Sequence, residues 1–398
     1  MLSKRSGRWG AAFAVPFFVC LLLCLAPALA EEEEADDIVT EEALDLALPA
    51  TDTHFFSPDD VSGVTCDHDI CYWKLNMGEL DEAAVWEVLT QPVTVLSGSE
   101  RNQYKVRKEP SKSCKEYTGC VTYESQAVHV LERGDEWTLI EAYSSCTEGS
   151  TVKVWATQFT GYVETKLLKE KEVSQEYGIV VDKLQQRLYV YKEGKLYSTL
   201  LCSTGYVTKG AYWNETPAGE YLAISWTGGF WSGSLYCDMA IRINDGILLH
   251  EVPCLIDTAE DGTTTRNYER CERYLGEKAS HGCIRIQRAL TPENVNAKWL
   301  WENLPRKGAP AKVIIWDDAG RTLGYPSNDY LLYYNPNGGK YYHSSPYCAA
   351  VKEKYWPLTS FRYGQLSEAP YSKLTRCSAC APQLSHEEID TLNSKNNR

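Results

Sequence analysis

Residues 177–205 read YGIVVDKLQQRLYVYKEGKLYSTLLCSTG. Apolar and polar side chains alternate along this stretch, and the alternation breaks at Gly194 and Gly205. A period of two sends successive side chains to opposite faces, so the stretch predicts a meander of β-strands. The pattern changes once downstream. Pro292 and Glu293 open a helix expected to run through Trp299 to Asn303, and the chain returns to a strand at AKVIIW, Ala311–Trp316. The unit 176–318 is therefore expected to be mostly antiparallel β with minor helix.

Upstream, Trp86 to Lys169 alternates in shorter strands at Val93–Leu96, Val128–Leu131, Trp137–Ile140 and Gly161–Val163. Turn residues separate them regularly, which predicts a small all-β barrel within 66–172. The segments VHVLERGDEWTLIEA and TGYVETKLL resemble bacterial Src-homology-3-like (SH3-like) domains, whose members hold wall peptides or simply space an attached enzyme. Downstream, a small Cys/His-rich unit spans 328–382, and Ser385–Arg398 reads as a polar helix or a frayed tail.

The first thirty residues carry Lys4, Arg5 and Arg8, an apolar run from Ala11 to Leu25, and Ala28-Leu29-Ala30. That layout is a secretory signal, and its apolar run is shorter than the roughly 20 residues of a bilayer span, so no stable membrane span is expected after cleavage. Without its three basic residues the formal charge moves from −14 to −17. Much of this sits in 31–65, read as a solvated acidic tether: Glu31 to Asp60 hold twelve carboxylates and no Lys or Arg. No basic patch suits a phosphate backbone, which excludes nucleic acid as the partner. Thirteen cysteines remain beyond the signal, so an exported chain must hold disulfides, metal ligands or both.

The chemistry concentrates at Ser280-His281-Gly282-Cys283-Ile284-Arg285. A histidine two positions before a cysteine, with glycine between, suits a thiolate nucleophile approached closely by substrate. An imidazole must take the thiol proton, and backbone N–H groups at a tight turn can hold an oxyanion; Gly282 and Cys283 are the candidate donors. SHGCIR, with GILLHEVP and STG…TPAGEYLAI before it, is similar to the YkuD-like L,D-transpeptidase catalytic domain. The resemblance implies a YkuD-type β-sandwich, Cys283 as nucleophile, His250 as general base and His281 as a second imidazole. It also implies a close turn at Gly282, a hydrogen bond within that turn from Ser280, and Arg285 ordering the loop or facing a substrate carboxylate. Peptidoglycan stem peptides are the implied partners, no cofactor is implied for catalysis, and the implied place is the cell wall outside the cytoplasm. Capture of the thioester by an amine would make a cross-link, and capture by water would make a carboxypeptidase. Without an active thiol, the same chain would be a wall-binding adaptor.

Two features depart from the family pattern: Glu251 follows His250, and the two expected catalytic residues stand 33 residues apart. Cys254 and Cys271 bracket the extra loop, so a disulfide is expected to close it, and the loop is a candidate lid. In the C-terminal unit, His343, Cys348, Cys377 and Cys380 have spacings that suit a structural zinc, with disulfide pairing as the alternative. Pairing Cys66 with Cys71, Cys114 with Cys120, Cys202 with Cys237 and Cys254 with Cys271 would leave Cys146 over.

Overall fold

In the computed structural model, residues 77–377, 379–380 and 382–396 are described. The expected signal segment 1–30, the acidic tether 31–65, and Cys66 and Cys71 lie outside them. The first element is a helix, α1 (Glu82–Thr90), where the alternation reading began strands at Trp86. Asp81 caps it by accepting from the Ala84 N–H at 2.9 Å. Val85, Val88 and Leu89, spaced three and four apart, bury against Val180 and Ile314.

Seven strands follow: β1 (Val93–Leu96), β2 (Gln103–Arg107), β3 (Tyr117–Thr122), β4 (Ala127–Arg133), β5 (Trp137–Ser145), β6 (Trp155–Glu164) and β7 (Leu168–Lys171). They form one antiparallel sheet in the order β3-β2-β6-β5-β4-β1-β7, and the four strands expected from sequence fall inside it. Its core is Leu96, Val106, Val121, Val128, Ile140 and Val163. A disulfide joins Cys120 to Cys146, linking β3 to the end of β5. The expected partner of Cys120 was Cys114, which is a free thiol, as are Cys202, Cys237, Cys254 and Cys271. Sequence neighbourhood misled the pairing, because the sheet brings β3 and β5 together.

The second sheet has nine strands: β8 (Tyr177–Asp182), β9 (Arg187–Lys192), β10 (Lys195–Ser203), β11 (Gly219–Leu222), β12 (Ser225–Ser232), β13 (Leu235–Arg242), β14 (Leu248–Glu251), β17 (Ile284–Ile286) and β18 (Lys312–Trp316). A separate hairpin, β15 (Leu255–Thr258) and β16 (Thr264–Asn267), occupies the insertion and leads into the short helix α2 (Glu269–Glu272). The sheet order is β11-β18-β8-β9-β10-β17-β14-β13-β12, antiparallel except for β18 with β8 and β14 with β17. Ile179, Leu188, Leu200, Ile241, Ile284 and Val313 belong to its core. The helix expected from Pro292 starts later, as α3 (Ala297–Asn303). Asn296 sets that start by accepting from the Trp299 N–H at 3.0 Å.

A buried polar cluster sits where α1 and the two sheets meet. Glu220 lies 3.2 Å from His129 Nε2 and 3.2 Å from Lys312 Nζ, and Lys312 donates to the Val88 carbonyl at 2.7 Å. Beside it, Thr122 Oγ1 donates to Asn244 Oδ1 at 2.6 Å, and Asn244 Nδ2 donates to Ser145 Oγ at 2.6 Å.

The C-terminal unit is a small sheet, β19 (Leu331–Tyr334), β20 (Tyr341–His343), β21 (Thr359–Arg362) and β22 (Thr375–Arg376), in the order β21-β19-β20-β22. Leu332, Tyr342, Phe361 and Tyr363 form its core. The polar tail is a helix, α4 (His386–Asn396). The molecule is mostly β, and among the described residues no helix is long and apolar enough to cross a membrane.

Candidate active site

His250 lies on β14 and Arg285 is its register partner on the parallel neighbour β17. Cys283 precedes β17 by one residue and Arg285 by two. The period of two along a strand therefore places Cys283 on the face that His250 shares, one strand across and one pleat along. The sulfur leans on the segment entering β14: Cys283 Sγ is 3.7 Å from the Gly246 carbonyl oxygen and accepts from the Leu248 N–H. Two residues 33 positions apart are thus brought to β14 and to the entry of its neighbour β17.

The His250 ring is buried, and its Nδ1 is 2.6 Å from the Glu251 carbonyl oxygen. A carbonyl can only accept, so Nδ1 carries the hydrogen and Nε2 keeps its lone pair. Phe230 meets the ring edge-on at 5.7 Å between centroids. Burial pushes the imidazole down to about 4; the bond to Glu251 opposes this, and the Arg285 charge adds to it. Burial raises the Cys283 thiol, opposed by the Leu248 N–H and then by the charges of Arg285 and Arg242. The resting pair is a neutral thiol and a neutral imidazole. Arg285 is itself buried, and its charge reaches both members of the pair.

The turn bearing the sulfur is held by Ser280, the residue expected to hydrogen-bond within it, and by Thr216 and Gly205, which were quoted in the upstream motifs without a role. Ser280 Oγ donates to the Cys283 carbonyl and accepts the Gly282 N–H at 3.2 Å. The Gly282 N–H, expected as an oxyanion donor, is therefore engaged inside the turn. Gly282 has φ +113°, a conformation that L side chains rarely adopt. Thr216 Oγ1 accepts from the Gly205 N–H at 2.8 Å and donates to the Gly282 carbonyl at 2.7 Å. Gly205 must be glycine, since an added Cβ would stand 1.8 Å from the Asn214 carbonyl oxygen. STG and TPAG thus moor the SHGC turn from two upstream loops. His281, exposed, lines an adjoining cleft.

The insertion is secured without the expected Cys254–Cys271 disulfide, since both are free thiols. Cys271 packs among Leu201, Val252 and Leu275, and Tyr236 and Cys254 exchange backbone hydrogen bonds at 2.8 and 3.0 Å. Tyr268 donates to Glu251 Oε2 at 2.8 Å. The carboxylate that departs from the family pattern is the insertion's anchor beside His250.

In the C-terminal unit the ligand atoms of His343, Cys348, Cys377 and Cys380 all lie within 4.8 Å of one another. Cys348 and Cys377 sulfurs are 3.9 Å apart, and Cys380 Sγ is 3.6 Å from His343 Nδ1. A disulfide needs about 2.05 Å. A tetrahedral zinc with bonds of about 2.3 Å to sulfur and 2.0 Å to nitrogen spaces its ligands at about 3.8 and 3.5 Å, so the donor set fits that ion. The Ser344 N–H donates to Cys380 Sγ at 3.3 Å.

YciB of Bacillus subtilis (strain 168), whose name assigns it provisionally to the L,D-transpeptidases, is 28% identical over 155 residues, which cover 37% of this chain and 68% of YciB. An L,D-transpeptidase structure from Xylanimonas cellulosilytica is 17% identical, covers 36% of this chain and 61% of its own, and aligns with a TM-score of 0.23. One from Stackebrandtia nassauensis is 22% identical, covers 37% and 58%, and aligns with a TM-score of 0.24. The alignment spans less than two thirds of either solved chain. Residues 176–315, the segment that carries both His250 and Cys283, match the YkuD family model, the L,D-transpeptidase catalytic domain.

Proposed function

We propose that this chain is an exported L,D-transpeptidase that cross-links peptidoglycan stem peptides through a cysteinyl acyl-enzyme. The observation that carries the reading is the register of β14 with β17, which pairs His250 with Arg285, two residues beyond Cys283, while the buried His250 ring holds its Nδ1–H on the Glu251 carbonyl. His250 Nε2 takes the thiol proton as the sulfur attacks the carbonyl joining the diamino acid of a tetrapeptide stem to its terminal D-alanine. A C–S bond forms, the carbonyl electron pair moves to oxygen, and the Cys283 N–H is the donor assigned to that oxyanion. Collapse breaks the C–N bond, the imidazolium returns its proton to the leaving nitrogen, and D-alanine departs. The neutral side-chain amine of a second stem then attacks the thioester: C–N forms, C–S breaks, and one amine proton passes through His250 to the sulfur.

Incubating the purified chain with tetrapeptide stems and separating the products tests this reading. Cross-links between diamino acids, with D-alanine released in equal amount, are expected. D-alanine without cross-links would make it a carboxypeptidase, and neither product would sink the reading. The acid limb of the acylation rate is expected near pH 4. Below that pH the buried imidazole is charged and cannot accept a proton, so the rate falls about tenfold per pH unit. A limb near the ordinary histidine value of about 6.5 would refute the depressed base.

The C-terminal set supports a structural zinc that staples a unit whose own core is small. Metal analysis is expected to find one zinc per chain, lost in a Cys377→Ser, Cys380→Ser variant that also melts at lower temperature. A wild-type chain purified without metal would remove this assignment. The leader and acidic segments fit export to the cell wall. The N-terminal β-unit, with its SH3-like sequence, is assigned to holding the enzyme's position on the wall.

A further inference from the structure

A cleft of about 360 Å³ adjoins the SHGC turn, with walls drawn from the N-terminal β-unit and from loops of the catalytic unit. Trp213, Pro217 and Ile247 come from the catalytic unit, Cys146 and Glu148 from the connection between β5 and β6, and Trp155 from the start of β6. The cleft reaches the nucleophile through lining residues: His281 belongs to the same turn, and the Gly246 carbonyl lies 3.7 Å from Cys283 Sγ. The N-terminal wall is braced three ways. Cys146 is bonded to Cys120, Ser145 Oγ accepts from Asn244 Nδ2 at 2.6 Å, and Trp155 meets Trp213 edge-on at 5.8 Å between centroids.

The lining decides what such a cleft would take. It contains two carboxylates, Glu148 and Glu215, and no lysine or arginine; the Lys153 ammonium stands 5.4 Å over the Trp155 ring but is not a lining group. Glu215 is already matched by Lys183 at 2.7 Å and Lys278 at 3.6 Å. Glu148, exposed, makes no ion pair among the described residues. Indole faces suit a methylene chain or a cation, and a carboxylate at the mouth suits an ammonium. A stem presenting its terminal carboxylate would be repelled there, whereas one presenting a side-chain amine would be drawn in.

We infer that this cleft is the subsite for the amine-bearing acceptor stem, and that Glu148 and Trp155, supplied by the N-terminal β-unit, determine acceptor specificity. The inference rests on the transpeptidase reading above. The ammonium gives one proton to solvent before attack, and transfer then proceeds by the bond changes already described.

The test measures how the acyl-enzyme divides between amine capture and hydrolysis, as the ratio of cross-linked dimer to tripeptide at subsaturating acceptor stem. Trp155→Ala and Glu148→Lys are each expected to lower that ratio about tenfold, the scale of about 1.4 kcal/mol of lost recognition. The ratio does not depend on how fast the acyl-enzyme forms, so it separates this inference from the reading beneath it. An unchanged ratio in both variants overturns the inference, as does a wild type that is acylated but yields tripeptide alone. A wild type never acylated removes the transpeptidase reading, and the inference with it. Should Trp155→Ala fail to fold, the exposed Glu148→Lys decides the question alone.

Discussion

Meropenem, a β-lactam that acylates reactive active-site nucleophiles, is expected to add its mass to the wild-type chain, and replacing Cys283 with alanine is expected to abolish that adduct and to cut the proposed cross-linking by about 10⁴-fold or more. The reason is chemical rather than steric: no other group on that face of β14 and β17 can form the thioester. Cys237 and Cys202 do not substitute. Burial pushes Cys237 up to about 12 and raises Cys202 as well, so neither offers a thiolate near neutral pH. Cys283 is also raised at rest, and its reactivity depends on a base that removes the proton during attack. His250→Ala should therefore fold and still lose most of the acylation rate, the 10²–10⁴-fold range typical of a positioned base. Intact-mass measurement reads both variants, and an adduct that persists on Cys283→Ala ends the assignment.

A second large effect is expected far from the thiol. Glu220→Ala should destabilise the fold by about 3–5 kcal/mol at pH 7, because it leaves the buried Lys312 ammonium without its carboxylate. Burial alone would raise the Glu220 carboxyl; the Lys312 charge and the His129 hydrogen bond outweigh it and bring the group down to about 2. A depressed carboxyl stabilises the native state above its unfolded value of about 4.5, and that stability drains away as pH falls toward 2. The gap between variant and wild type should shrink over that window. Urea unfolding at several pH values measures it, and a difference under about 0.5 kcal/mol at pH 7 would mean the cluster contributes little. Pairing the change with Lys312→Met should restore part of the loss, since replacing both partners removes the stranded charge.

The β character of the chain was legible because strands such as β6 and β9 alternate and turn residues separate them, although β1, β8 and β11 are buried at every position, and SHGCIR with GILLHEVP marked the candidate thiol and imidazole. The helix α1 was missed because AAVWEVL is rich in residues that also suit strands; Asp81 as a cap and the spacing of Val85, Val88 and Leu89 were the signals for it. Disulfide pairing was misread because it depends on which strands meet: Cys120 finds Cys146 through the β3–β5 approach, not its neighbour Cys114. Glu251 registered only as a departure, since its partner Tyr268 lies 17 residues on. Thr216 and Trp155 act across gaps that no local pattern marks.

The anchorage of the sulfur-bearing turn has a practical side. Its struts come from Thr216 and Gly205, upstream of the hairpin, while the hairpin hangs from Glu251 by Tyr268. The bend between Ala259 and Thr263 closes on its own backbone and borrows nothing from the reactive turn. That bend is the place to graft a fluorophore tag or a foreign epitope, giving a reporter of the working protein.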